Sequence, residues 1–285
     1  MALLRLALQK SGRLSDSSVR LIEDCGIHFS NHGASLKSSA ENFPLDLYFL
    51  RDDDIPGYVA DGVADCGIVG ENVLREKQSD VRVLEPLGFG RCRLAIAVPR
   101  AFEYSSARDL ADLDIATSYP VLLQSFLDAN NISARTHVIS GSAELAPGIG
   151  LADAVCDLVS TGSTLMSNGL KEVETVMESQ AVLIARHDLD PETEATLDQL
   201  RFRLESVGRA KRYKYILLNI PNESIETVSR ILPGMKSPTV MPLAEEGWSS
   251  VHSVVHEDEF WEIVDKLKEA GAQGLLVTAV EKMVV

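Results

Sequence analysis

Ser160, Thr161, Gly162, Ser163 and Thr164 follow directly on the apolar pair Leu158 and Val159, and Leu165 resumes the apolar pattern. A glycine among four hydroxyls, between a strand and a helical turn, suits the binding of a phosphate. Such a turn aims converging N–H donors at the anion with no side chain in the way, and the helix dipole adds attraction. A second reading stands beside this one: a Ser/Thr-rich turn that caps the next helix. Asp157 lies at the end of the preceding strand, and Glu144 lies one segment upstream. Acids beside a phosphate repel it, so a functional role for them would be accepting hydrogen bonds from sugar hydroxyls or coordinating a metal. Otherwise Asp157 is a turn acid and Glu144 a solvated helix residue.

Other turns carry similar chemistry. Lys10 and Arg13 flank Gly12 in the segment Gln9–Arg13, where a second anionic group would fit. Arg51 precedes Asp52, Asp53 and Asp54; consecutive carboxylates can hold magnesium, and Asp54 can equally cap a helix. Arg91 and Arg93 open a strand and are candidates for structural ion pairs. Tyr119 stands at a helix start, either to stack on a base or to fill core. The turns recur at strand C-termini, where open α/β sheets place their ligands.

These turns need a scaffold of strands and helices, and the chain supplies one. Leu4, Leu6 and Leu8 alternate as a strand, and Ser15 is placed to cap a helix that stops at Gly26. Strands are expected at 46–50, 65–70, 92–99 and 136–140, with a helical stretch of small residues over 141–156. The alternation predicts α/β layers with largely parallel sheets. Residues 191–213 read as one long amphipathic helix. After it the rhythm becomes βαββαβ, the ferredoxin-like arrangement. His252 and His256 would face the same side of one strand there, in a surface or core role.

Composition narrows the function. The 285 residues carry a net charge of −15, which opposes nucleic acid as a partner. Any phosphate site must then rely on local cations and backbone dipoles. No apolar run is long enough to span a membrane, and no signal peptide is apparent, so no membrane association is expected. Cys25, Cys66, Cys92 and Cys156 are scattered, which suits reduced, mostly buried thiols in a cytoplasmic protein without a zinc site. No nucleophile motif for acyl transfer is present.

The segment Glu144–Leu165 resembles the signature of the ATP phosphoribosyltransferase family. Its spacing from Glu144 through Gly150, Asp153 and Asp157 to Gly162 and Thr164 is similar to the family pattern without a gap. Residues 6–14, 51–74 and 115–120 also look like family blocks, and 237–243 is similar to the long form with its own regulatory domain.

The resemblance implies a two-lobed, periplasmic-binding-protein-like α/β body followed by a ferredoxin-like regulatory domain. Lobe I would comprise 1–92 and 180–210, lobe II 93–179, and the regulatory domain 211–285. It implies ATP and 5-phosphoribosyl 1-diphosphate (PRPP) as substrates, assistance from Mg2+, inhibition by histidine, and assembly into dimers and hexamers. Ser160–Thr164 would hold the 5-phosphate, and Glu144 and Asp157 the ribose hydroxyls. Lys10, Gly12, Arg13 and Arg51 would face pyrophosphate or ATP phosphates, Tyr119 the adenine, and Ser237 and Thr239 the histidine. Two rivals remain: a solute-binding protein of the same two-lobed shape, and a different nucleotide or phosphosugar transferase.

Overall fold

The computed structural model describes residues 2–30 and 35–284. They divide into two compact units, residues 1–23 with 27–197, and 24–26 with 198–285.

The larger unit holds two sheets. The chain lays down β1 (Leu4–Gln9), α1 (Arg13–Asp24), β2 (Lys37–Ser39), β3 (Leu45–Leu50), α2 (Ile55–Ala60), β4 (Cys66–Gly70), α3 (Glu71–Lys77) and β5 (Arg82–Pro86). It then builds a second lobe from β6 (Cys92–Pro99), β7 (Asp114–Thr117), α4 (Pro120–Ala129), β8 (Arg135–Val138), β9 (Ala154–Val159), α5 (Ser163–Ser167) and β10 (Leu170–Ser179). It returns to the first lobe with β11 (Ala181–Ala185). Among the described residues the sheet orders are β2-β3-β1-β4-β11-β5 and β10-β6-β9-β7-β8.

Both sheets are mixed, which corrects the expectation of largely parallel pairing. β1 runs parallel to β3 and β4, and β7 parallel to β8 and β9. The strands that cross between lobes run the other way: β11 is antiparallel to β4, and β6 is antiparallel to β9 and β10. A double crossing requires such reversals, and helix–strand alternation in the sequence does not show where they occur.

Burial on both faces explains the strand compositions. On β6, Leu94, Ile96 and Val98 face one core while Ala95 and Ala97 face another. On β1, Leu4, Leu6, Ala7 and Leu8 are all fully buried. A bidentate ion pair from Arg5 to Asp65, at 2.9 and 2.7 Å, ties β1 to the turn before β4.

Two local expectations change. Ser15 lies inside α1, at its third residue, and is buried, so it does not cap the helix. The stretch 141–156 is not one helix. It makes two short 3-10 turns, Ala143–Leu145 and Pro147–Ile149, and then becomes β9. Ser142 and Gly150 take positive φ at either side of the turns, and Val155 and Cys156 pair in the sheet.

α6 (Pro191–Ala210) contains the boundary between units. The smaller unit continues with β12 (Tyr213–Pro221), α7 (Ile225–Ile231), β13 (Thr239–Pro242), β14 (Trp248–His256), α8 (Glu257–Glu269) and β15 (Gln273–Ala279). Its antiparallel sheet has the order β13-β14-β12-β15, the ferredoxin-like arrangement. Ile216, Leu218, Ile220, Val251 and Val255 pack with Val228 of α7 and Leu267 of α8. His252 and His256 do share the other face, where His252 bonds to Tyr215 and Ser250 and His256 meets the Tyr213 ring edge-on.

Candidate active site

β9 delivers the hydroxyl run to its C-terminal edge. The strand ends at Val159, Gly162 takes φ +78° as the N-cap of α5, and the helix begins at Ser163. A Cβ on Gly162 would meet nothing nearer than Val159 Cγ1 at 3.9 Å. The glycine is therefore required by its left-handed backbone and not by crowding. Among the described residues no side chain caps α5, so its leading N–H groups stay available to an anion. Thr161 Oγ1 and Ser163 Oγ lie 3.1 Å apart and brace the turn.

Arg93 holds the loop from the neighbouring strand. Its guanidinium makes a bidentate pair with Glu172 at 2.5 and 2.6 Å and donates to the Ser160 carbonyl at 3.5 Å. The ion pair meets the sequence expectation for Arg93, and its link to the loop is added by the structure. Glu172 carries no motif, and only the β6–β10 pairing brings it there.

A cavity of about 230 Å3 opens at this loop, lined by Ser160–Thr164, Glu144, Asp157 and Arg13. Two acids thus stand beside a hydroxyl-rich turn, with one cation from α1 of the other lobe. Asp157 accepts the Leu158 N–H at 2.7 Å. Burial pushes its carboxyl up from the ordinary carboxylate range, and the nearby Glu144 adds to the rise. A half-buried carboxylate with one backbone donor has acceptor capacity left for hydroxyl donors.

Other singled-out residues lie elsewhere. Lys10 is exposed after β1, and its N–H donates to the Leu50 carbonyl at 2.7 Å. Gly12 takes φ +97° just before α1, a conformation that suits glycine alone at this turn. Arg51 is exposed and precedes a 3-10 turn over Asp52–Asp54. Asp54 stands at the N-cap of α2 without a side-chain bond to it, so its expected capping role fails; Pro56 in the first turn lacks the N–H such a cap would meet. Burial and Asp53 push the Asp52 carboxyl up. Tyr119 is half-buried and packs against the core of the second lobe. Its hydroxyl accepts from Asn72 Nδ2 at 3.2 Å. Ser237 and Thr239 are exposed in the smaller unit, Thr239 on its edge strand β13.

Among the described residues no three His, Cys, Asp or Glu side chains converge as a metal cage. The oxygen donors of the cavity still suit magnesium, which keeps several waters and binds through one or two carboxylates plus substrate phosphates. The thiols of Cys25, Cys66 and Cys156 are buried, and burial pushes Cys25 up to about 12. No helix among the described residues is long and apolar enough to cross a membrane.

Two α/β lobes, each built on a mixed sheet, define the periplasmic-binding-protein-like class. Known proteins sharpen this. The family described as "ATP phosphoribosyltransferase" matches residues 51–206, and "HisG, C-terminal domain" matches residues 210–282. An ATP phosphoribosyltransferase of Cytophaga hutchinsonii is 60% identical over 281 residues, covering 99% of this chain and 98% of that protein. The solved ATP phosphoribosyl transferase (HisG:HisZ) complex from Thermotoga maritima matches with TM-score 0.59 and 25% identity, over 71% of this chain and 98% of that one. Tv2483 bound to L-arginine, at TM-score 0.50 and 15% identity, covers 71% and 83% and shares the fold alone.

The chain belongs to the ATP phosphoribosyltransferase family, in its long form with a C-terminal domain. It is a pentosyltransferase, and this membership places it at the first step of histidine biosynthesis.

Proposed function

We propose that the enzyme joins ATP to PRPP, giving N1-(5-phosphoribosyl)-ATP and pyrophosphate. The adenine N1 lone pair attacks the ribose C1 as the C1–O bond to pyrophosphate breaks. N1 is a neutral nucleophile, so no strong base is needed. Catalysis rests on positioning and on stabilising the leaving diphosphate.

The observation that carries this reading is the single cavity shared by Ser160–Thr164, Glu144, Asp157 and Arg13. In it, Ser160, Thr161, Gly162, Ser163 and Thr164 hold the 5-phosphate through N–H and hydroxyl donors. Glu144 and Asp157 accept the ribose hydroxyls, and their negative charge favours the positive charge that grows at C1. Arg13, with Lys10 and Gly12 on the same turn, faces the diphosphate. Arg51 faces the ATP phosphates and Tyr119 the adenine. Bound Mg2+ would neutralise charge on the leaving pyrophosphate, held mainly by substrate oxygens.

We further propose that residues 211–285 form the regulatory domain, with Ser237 and Thr239 contacting inhibitory histidine. The enzyme works in the cytoplasm as a homo-oligomer of dimers or hexamers.

The test is direct. The protein is mixed with ATP, PRPP and magnesium, and pyrophosphate and the N1-ribosylated nucleotide are measured. Absence of both products across metal, pH and protein concentration would sink the reading and favour a transferase with a different nucleotide or phosphosugar substrate.

A further inference from the structure

α3 of the first lobe reaches α4 of the second through two side chains. Glu76 accepts the N–H groups of Val121 and Leu122, both at 3.0 Å. Those are first-turn donors of α4, so a protein carboxylate fills the place an anion would take at that helix end. One turn earlier, Asn72 donates from Nδ2 to the Tyr119 hydroxyl at 3.2 Å. Asn72 is only 4% exposed, and so its amide must be fully matched.

Ser179 meets the other end of the side chain. Its hydroxyl accepts the Asn72 backbone N–H at 3.1 Å and donates to Asn72 Oδ1 at 2.8 Å. Ser179 is the last residue of β10, where the chain leaves the second lobe, and is 5% exposed. With Oδ1 taken by a donor, the carboxamide has one orientation, with its NH2 toward Tyr119. Gly70 leaves room for this fold-back: a Cβ there would lie 2.4 Å from Asn72 Oδ1.

This fixes the polarity of Tyr119. Its oxygen accepts from Asn72, so its own proton is free to point elsewhere. Burial, with the nearby charges of Asp157 and Asp52, pushes the phenol up and keeps it protonated. Tyr119 therefore presents a donor, not an acceptor.

We infer that Asn72, locked by Ser179, is a positioning residue that sets Tyr119 as a hydrogen-bond donor to an acceptor nitrogen of the purine other than the attacking one. The inference rests on the proposed ATP-dependent reaction. It makes this arrangement of the lobes a condition for reading the nucleotide, because the donor Tyr119 and its positioning residue Asn72 come from different lobes.

The test uses the full-length enzyme and follows pyrophosphate release with ATP and PRPP varied separately. Asn72→Leu should lower kcat/KM for ATP about tenfold, the value of one hydrogen bond of about 1.4 kcal/mol, and leave KM for PRPP within about twofold. Asn72→Asp keeps the shape and the Ser179 bond but takes the Tyr119 proton, so it should lose as much. Gly70→Ala, which displaces the carboxamide without removing it, should reproduce the loss. Tyr119→Phe should match Asn72→Leu, and the double variant should be no worse than either. Additive losses, or full activity in Asn72→Asp, would overturn the inference.

A second readout is independent of the reaction. In protein labelled with 3-fluorotyrosine, the 19F line that disappears in Tyr119→Phe should move in Asn72→Leu. An unmoved line would overturn the inference whatever the enzyme catalyses. Wild-type protein inactive with ATP and PRPP, but with a moved line, would count against the proposed reaction alone.

Discussion

Glu144 raises the proton affinity of Asp157: burial is the larger cause, and the second carboxylate facing the same cavity adds to it. The two acids come from different elements, a 3-10 turn and the end of β9. Their proximity is costly while the cavity is empty of donors, and in the proposed reaction sugar hydroxyls would supply those donors.

Asp157→Asn should therefore separate stability from function. The native carboxyl binds its proton more tightly than the unfolded one does. Its effect on stability is neutral below the unfolded pKa and becomes unfavourable as pH rises through the folded pKa. The variant should melt about 2 °C higher at neutral pH while kcat falls by about two orders of magnitude. Calorimetry and pyrophosphate release measure the two. A lower melting temperature with normal turnover would refute the assignment.

The same shift sets a pH limb. Wild-type kcat/KM should fall on acidification with a midpoint above the ordinary carboxylate range, because the ionised acid is the acceptor form. Asp157→Asn should lack that limb. A pH profile of both proteins decides it.

Gly162→Ala should weaken the phosphate turn without a clash. The left-handed φ costs an alanine about 1 kcal/mol, and the added methyl meets only Val159 at 3.9 Å. KM for PRPP should rise about tenfold with little change in KM for ATP, as initial-rate kinetics will show.

Arg93→Met should loosen the same loop from behind. It removes the donors to Ser160 and leaves the half-buried Glu172 without its bidentate partner. A loss of about 1–2 kcal/mol in stability should accompany weaker PRPP binding, measured by denaturant titration and calorimetric binding.

Thr239→Ala should leave the uninhibited rate unchanged and raise the histidine concentration needed for inhibition about tenfold. Undiminished inhibition in both Thr239→Ala and Ser237→Ala would place the effector elsewhere.

The hydroxyl run, its glycine and the acid before it are contiguous, so the local spacing of Asp157 to Thr164 already specified a strand, a glycine-containing turn and a helix start, while the left-handed φ of Gly162 came from the structure. The βαββαβ order of the last third was equally legible, because period and turn residues there are local. Composition alone argued against a broadly basic surface, and the alternation of Leu4, Leu6 and Leu8 marked a strand that the structure shows as β1. Tertiary structure decided what distance in sequence hides. It alone set the antiparallel returns of β6 and β11, the break of 141–156 into turns, and the arrival of Arg13 beside Asp157. Glu172, Glu76, Asn72 and Ser179 are ordinary residues in the chain. They acquire roles only when packing removes water and leaves each buried polar atom needing a partner.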